Sequence, residues 1–122
     1  MKRILTLMFC ALFLCSCGQE KKEEPATVQP VTCSEMKALQ KEGAILIDVR
    51  TVAEYKAESI DGAINITVED IGNAIPSMFE NKDTKIIVYC KSGNRSATAA
   101  QTLIDLGYKN VYDLGGINNC AE

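Results

Sequence analysis

One stretch of the chain, residues 90–96 (CKSGNRS), combines a nucleophile with groups that can stabilise its negative charge. A strongly apolar segment precedes it and a segment with helical spacing follows it, which places Cys90 at the end of a strand. Gly93 and Asn94 tolerate left-handed backbone angles, so a tight loop can turn its N–H groups toward one anion. The helix N-terminus and the Arg95 guanidinium add positive charge. We therefore predict a reactive thiolate at Cys90.

The absence of histidine limits how Cys90 can be activated. The chain contains no histidine, which excludes Cys-His and Ser-His-Asp catalysis and every zinc site that needs imidazole. Backbone amides, a helix end and a guanidinium remain, and such surroundings commonly lower a cysteine pKa from about 8.5 to roughly 3.5–7.5. No metal or cofactor is expected. The simpler interpretation is an inert cysteine at a strand end, which the adjacent glycine, arginine and serine disfavour.

The segments around this loop predict one α/β domain over residues 31–122, with a small open parallel β-sheet flanked by helices on both faces. Continuous apolar runs are typical of strands buried on both faces, and turn residues and helical spacing separate them. The predicted strands cover residues 44–49, 63–66, 85–89 and 111–114. The predicted helices cover residues 34–43, 53–58, 68–79 and 96–106, the third of them interrupted by Pro76.

From about Val31 to its end the chain resembles the rhodanese domain, and residues 90–96 are similar to the active-site loop of that family. Three more segments resemble the family's motifs in the right order: residues 46–50 (LIDVR) with Glu54-Tyr55, residues 61–66 (DGAINI) and residues 114–117 (LGGI). The resemblance implies a sulfurtransferase. Cys90 would take sulfane sulfur from thiosulfate or a persulfide donor, carry it as a persulfide, and pass it to a thiol or cyanide-like acceptor.

The resemblance also implies that the loop after Cys90 cradles the persulfide. Four residues separate Cys90 from Arg95, a spacing that accompanies sulfur transfer in this family, whereas the related phosphatases have five. Lys91 either faces the substrate and attracts an anion or is a solvated loop lysine, and both interpretations stay open. The residues expected to bind substrate or persulfide are Lys91, Ser92, Gly93, Asn94, Arg95 and Ser96.

Two residues after an earlier strand are candidates to support the loop. We expect Arg50 to form a salt bridge with Glu54, and Asp48 to cap a neighbouring turn. A supporting role for Asp48 and Arg50 beside the Cys90 loop is the less favoured interpretation.

Three cysteines remain in the domain. Cys33 and Cys120 lie near its two ends, and a disulfide between them requires that the first and last strands be neighbours. The alternatives are two small packing residues, or a Cys120 thiol that resolves a persulfide at Cys90. Cys120 stands where family members commonly have tryptophan.

The N-terminus is typical of a targeting segment. Lys2 and Arg3 precede an apolar stretch at residues 4–14, too short to span a membrane, and residues 14–17 (LCSC) resemble a bacterial lipobox. We expect a signal peptide at 1–16, lipidation at Cys17, a disordered tether at 17–30, and a location in the bacterial cell envelope, lipid-anchored on the periplasmic or outer-surface side. The alternative is an ordinary signal peptide.

The net charge and the cysteine spacing disfavour two further classes of function. The net charge of −3 gives no support for nucleic-acid binding, which needs clustered lysine and arginine. A thiol redox protein is not supported, because the chain has no C-x-x-C pair. The alternative to an enzyme is a non-catalytic persulfide or anion carrier, or a binding module, that serves a partner protein of unknown identity.

Overall fold

The structure, a computed structural model, describes residues 25–121. The expected signal peptide, Cys17 and most of the expected tether lie outside this range. Among the described residues, no helix combines the length and apolarity needed to cross a bilayer.

The described residues form five strands in one sheet, and every pairing in it is parallel. The order across the sheet is β1-β5-β4-β2-β3, so β4 lies in the middle, between β5 and β2. The strands are β1 (Gln29–Pro30), β2 (Ile45–Asp48), β3 (Ala63–Asn65), β4 (Lys85–Cys90) and β5 (Asn110–Gly116).

Helices connect the strands, as parallel pairing requires. Threonine precedes the first two of them: the Thr32 and Thr51 hydroxyls each accept a hydrogen bond from the amide three residues later, and the carboxylate of the glutamate at that position accepts one from the threonine amide. These reciprocal bonds satisfy amides that a helix start leaves unpaired. The helices are α1 (Cys33–Lys41), α2 (Val52–Ala57), α3 (Ile71–Met78) and α4 (Asn94–Asp105), and a 3₁₀ helix, the terminal turn (Ile117–Cys120), follows β5.

Apolar side chains cover both faces of the sheet. On one face, side chains of α3 and α4 such as Ile75 and Leu103 pack against β2 and β4. On the other face, Met36 of α1 packs with Leu46, Tyr89 and Leu114. Alternate residues of β4 therefore enter two different clusters, which explains why its sequence is apolar throughout.

The predicted fold class is confirmed, and the element boundaries differ in places. The expected tether extended to Pro30, but Gln29–Pro30 pairs with β5 as an edge strand, and the Val31 amide donates to the Asp113 carbonyl at 3.1 Å. An edge position suits proline, which has no N–H to donate. The third helix begins at Ile71, three residues later than its apolar pattern suggested, and continues through Pro76.

Because all the strands are parallel, their carboxyl ends lie along one edge of the sheet. Asp48, Asn65, Cys90 and Gly116 are the last residues of β2, β3, β4 and β5. Ligands of open α/β sheets bind outside this edge, so the fold brings the predicted site residues together there.

Candidate active site

Cys90 ends the central strand and lies beneath the loop that follows it. The residue is 0% exposed, and its thiol is free, whereas the other two cysteines among residues 25–121 are bonded to each other. The Gly93 amide donates a hydrogen bond to Cys90 Sγ at 2.9 Å. A hydrogen bond from a loop amide to the sulfur, which the sequence predicts, is therefore present.

The loop conformation leaves the start of α4 open toward the sulfur. Gly93 precedes the helix with a left-handed φ of 102°, and no side chain caps that end. The positive end of the helix dipole and its unpaired amides therefore face Cys90 instead of a capping oxygen. Ser96 in the first turn is fully buried, and its hydroxyl donates to the Gly93 carbonyl at 3.1 Å.

These groups set the ionisation of Cys90. Burial raises the pKa of the thiol, but hydrogen bonds from the Ser96 amide and hydroxyl and from the amides of Gly93 and Ser92 outweigh it and lower the pKa. The Ser96 hydroxyl has one proton for two acceptors, so it can turn from the Gly93 carbonyl to the sulfur when the thiolate forms. Neutral dipoles thus favour the thiolate without a histidine.

Arg95 is held by a carboxylate on another helix. Its guanidinium donates to both Glu54 oxygens, at 2.8 and 3.2 Å. The hydrogen bonds from Arg95, together with those from Thr51, lower the pKa of Glu54 to about 2. The positive charge expected to act on Cys90 is therefore shared with Glu54, and the pair joins α2 to the start of α4.

The prediction of a salt bridge between Arg50 and Glu54 is wrong. Arg50 instead pairs with Asp48, whose oxygens accept from Nε and Nη2 at 2.7–3.1 Å, while Glu54 is occupied by Arg95. Both members of the Arg50–Asp48 pair are buried. Asp48 also accepts the Arg50 amide at 2.9 Å, so it does cap the turn after β2.

The Asp48–Arg50 pair stiffens the same edge of the sheet. Arg50 Nη2 also donates to the Glu58 carbonyl at 2.6 Å, and the guanidinium carbon lies 5.7 Å from the centre of the Tyr89 ring. Asn65 at the end of β3 donates to the carbonyls of Asp48 and Arg50 at 3.0 and 3.1 Å. These contacts fix the turn beside β4, and none of them reaches Cys90.

The end of β5 packs directly under the start of the loop. An irregularity in the β4–β5 pairing places Gly116 opposite Cys90. A Cβ at Gly116 would lie 2.6 Å from the carbonyl oxygen of Lys91 and 3.5 Å from the Cα of Ser92. Only glycine allows this approach, so the terminal GG motif shapes the loop by leaving room for it.

A surface cavity of about 260 Å³ opens beside the loop. Lys91 is exposed there and provides a positive charge at its rim. The residues that line the cavity are Arg50, Glu54, Ala57, Glu58, Lys91, Ile117 and Asn118.

The hypothesis of a disulfide between Cys33 and Cys120 is confirmed. The two sulfurs are bonded, with a Cα–Cα distance of 5.2 Å. The edge strand beside β5 is β1, which lies in the expected tether, whereas the first predicted strand is β2 and is not adjacent to β5. Cys120 is therefore not available as a free resolving thiol for Cys90 in this structure.

Sequence reasoning missed three features of this site. It did not pair Glu54 with Arg95, which lies 41 positions away, and it did not give Gly116 its contact with Lys91. It also did not assign the Tyr89 hydroxyl, which accepts the Ile60 amide at 3.1 Å. The sequence offers one signal for Glu54, Tyr89 and Gly116: each lies at the end of a strand or shortly after it.

Two curated relatives of this chain are named as thiosulfate sulfurtransferases. It is 35% identical over 75 residues to thiosulfate sulfurtransferase PspE of Escherichia coli (strain K12), a match covering 62% of this chain and 72% of that protein. It is also 35% identical over 79 residues to thiosulfate sulfurtransferase GlpE of Pseudomonas fluorescens (strain SBW25), covering 65% and 71%.

Solved structures and a family model agree with these relatives. A structure described as "rhodanese with anions from E. coli" shares 34% identity and a TM-score of 0.59 with this chain, covering 62% of it and 89% of that chain. The family model for the rhodanese-like domain matches residues 32–122, well over half of the chain. The protein therefore belongs to the rhodanese-like domain family, as the motifs indicated, and is a sulfurtransferase.

Proposed function

We propose that the protein moves sulfane sulfur from thiosulfate, or from a persulfide donor, to a thiophilic acceptor through a persulfide on Cys90. The observation that carries this proposal is the Gly93 amide directed at Cys90 Sγ, 2.9 Å away, at an uncapped helix start. This arrangement favours a thiolate, and the thiolate is the nucleophilic form of cysteine.

The first half-reaction loads the sulfur. The Cys90 thiolate attacks the outer sulfur of thiosulfate, a bond forms between the two sulfurs, and the bond to the sulfonate sulfur breaks. Sulfite leaves with that electron pair. In the second half-reaction a thiolate or cyanide attacks the outer sulfur of the persulfide, and the Cys90 thiolate is the leaving group. A thiolate stabilised by amides is both formed and expelled more readily, so the same loop serves both steps.

Burial and charge select the donor. Because Cys90 is 0% exposed, the loop must open slightly to admit a reagent, which favours small donors over bulky ones. Lys91 is exposed beside the loop and attracts a divalent anion such as thiosulfate. It also partly neutralises the departing sulfite.

The proposal is tested with Cys90→Ser. The wild-type protein, incubated with thiosulfate, should gain the mass of one sulfur atom at Cys90 and should then form thiocyanate with cyanide. Cys90→Ser should show neither gain nor turnover above the buffer background, with an unchanged circular dichroism spectrum. Full turnover by the serine variant would refute the proposed role of Cys90.

The same assay separates an enzyme from a carrier. A non-catalytic carrier for a partner protein would gain the sulfur but release none to cyanide or to small thiols. Release in many turnovers per protein molecule contradicts that alternative.

We further propose that the domain is anchored in the bacterial cell envelope by a lipid on Cys17. The support is the residue pattern 14–17 (LCSC) after an apolar stretch. Membrane fractionation tests it: the wild-type protein should sediment with membranes and Cys17→Ser should not. An unprocessed N-terminus that retains Lys2 would contradict the proposal.

A further inference from the structure

The terminal turn, Ile117–Cys120, forms part of the wall of the cavity beside the Cys90 loop. Ile117 and Asn118 line the cavity beside Lys91, and the turn begins directly after Gly116, whose backbone packs against the Lys91 carbonyl. Any movement of this turn therefore changes the space in which a donor approaches the loop.

The turn is anchored at its two ends and exposed in its middle. Ile117 and Cys120 are partly buried against the cluster that contains Met36, whereas Asn118 and Asn119 between them are exposed. Asn119 donates to the Leu114 carbonyl at 2.6 Å, and the Ala121 amide donates back to Asn118 at 3.0 Å. Segments of this kind fray unless something ties them down.

The Cys33–Cys120 disulfide supplies that tie. Cys33 is the first residue of α1, and the fully buried Met36 packs that helix onto the sheet with Leu46, Tyr89 and Leu114. The disulfide therefore joins this partly exposed turn to a firmly packed helix, 87 positions away in the sequence.

We propose that Cys33 and Cys120 are positioning residues for sulfur transfer: their disulfide holds Ile117 and Asn118 beside Lys91, and its reduction weakens binding of the donor anion. This inference rests on the proposed function. The two cysteines never touch the substrate; they act through the cavity wall.

A dithiol is the chemical class that would operate this device. Cys33 and Cys120 are only partly buried, and they line a surface groove together with Lys37 and Lys41. One thiolate of the dithiol attacks a sulfur of the disulfide and forms a mixed disulfide, and its second thiolate then displaces the remaining protein sulfur. The protein gains two electrons and two protons, and the dithiol becomes a cyclic or intramolecular disulfide.

The test compares three folded forms of the domain in the thiosulfate–cyanide assay. They are the oxidised wild type, the wild type reduced with dithiothreitol and freed of it without air, and Cys33→Ser/Cys120→Ser. The last two should share a KM for thiosulfate raised at least about threefold with kcat changed less than about twofold. Dithiothreitol should not raise the KM of the double variant further.

Asp83→Asn is the matched control. Asp83 is exposed, precedes β4 at the opposite edge of the sheet, and approaches Lys109 only at 4.0 Å. The KM of the Asp83→Asn variant for thiosulfate should therefore equal that of the wild type. An unchanged KM in a folded protein without the disulfide would overturn the inference.

Amide hydrogen exchange gives a readout that does not need turnover. Reduction should speed exchange at residues 115–121 and at Lys91 and Ser92, and should leave α3 unchanged. Identical exchange in the oxidised and reduced forms overturns the inference. If none of the three protein forms transfers sulfur but reduction still speeds amide exchange at the turn, the proposed function is refuted. The inference that the disulfide holds the turn would then still stand.

Discussion

At Cys90 the stabilising groups are neutral dipoles more than formal charges. Amides of Ser92, Gly93 and Ser96 and the Ser96 hydroxyl lower the thiol pKa, while the nearby guanidinium of Arg95 is already paired with Glu54. A thiolate held in this way does not depend on the protonation of a second residue. The lower limit of activity with pH should therefore follow the ionisation of Cys90 itself.

Ser96→Ala should reduce the thiolate fraction at neutral pH. The variant removes one donor to the negative sulfur, so the Cys90 pKa rises and less thiolate is present at any pH below it. Since a hydrogen bond to a charged group is worth about 1.5–3 kcal/mol, the ionisation constant of the Cys90 thiol should fall roughly 10- to 150-fold. Thiolate ultraviolet absorbance followed against pH measures this.

Ser77→Ala is the matched control for that prediction. The Ser77 hydroxyl donates to the Ala74 carbonyl within α3, and its removal should leave the titration of Cys90 unchanged. A Ser96→Ala titration that coincides with the wild type would show that the hydroxyl does not act on the sulfur.

The sequence predicted the local part of this site and missed the non-local part. Cys90, its loop and the helix that follows are contiguous, so their types and spacing carried the information. The pairing of Arg95 with Glu54 depends on how α2 and α4 approach each other. The nearer candidate, Arg50, misled the prediction because a charge four positions away suggests a partner.

At the scale of elements, β5 and the Cys90 loop behave as one unit. The irregular pairing after Val88 lets Gly116 oppose Cys90, and Gly115 turns with a φ of 85° while its amide donates to the Asp113 side chain at 2.8 Å. Such an irregularity redirects a strand end near a functional site. The floor of the loop is thus made by a strand that carries no nucleophile.

Gly116→Ala should damage the loop through a steric clash alone. The backbone of Gly116 has a φ of −89°, which alanine adopts freely, but the new Cβ would lie 2.6 Å from the Lys91 carbonyl oxygen. Overpacking of this kind costs about 1–3 kcal/mol of unfolding free energy. Sulfur-transfer kcat/KM should also fall, and denaturant unfolding together with steady-state kinetics would measure both effects.

Gly72→Ala provides the contrast. Gly72 lies inside α3, where an added Cβ meets its nearest neighbour, Thr102, at 3.4 Å. Alanine in a helix should raise the unfolding free energy by about 0.4–1 kcal/mol with activity unchanged. Equal effects of the two substitutions would contradict the steric explanation.

Hydrophobic periodicity predicts most of the helices and strands, and a separate pattern marks where two of the helices begin. The residues at 32–35 (TCSE) and 51–54 (TVAE) both match the T-x-x-E pattern that begins α1 and α2. Strand β1 could not be found in this way, because two exposed residues that include a proline have no apolar pattern. It is defined by its pairing with β5.

For the molecule as a whole, the Cys33–Cys120 disulfide closes nearly the entire domain into one covalent loop. Its ends are separated by 87 positions, and restricting so long a loop reduces the entropy of the unfolded chain. The sequence suggested this pairing through adjacency of the first and last predicted strands, but the strand that brings Cys33 to Cys120 is β1, which the sequence did not predict.

Loss of the disulfide should lower global stability without changing the fold. Cys33→Ser/Cys120→Ser should reduce the unfolding free energy by about 2–5 kcal/mol relative to the oxidised wild type, as measured by urea unfolding. The far-ultraviolet circular dichroism spectrum should be unchanged, because the two apolar clusters stay intact. The unfolding free energy of Asp83→Asn should equal that of the wild type. A double cysteine variant with the same unfolding free energy as the wild type would contradict the prediction.

The missing side chain at Gly116 also limits how this scaffold can be redesigned. Grafting a longer loop between Cys90 and Arg95, such as one sized for phosphate, would press the new backbone onto β5 at the point where a single carbon is already too much. A library that varies the loop alone would therefore sample mostly incompatible backbones. Loop and residues 114–116 have to be diversified together, as one design unit, although a whole helix separates them in the sequence.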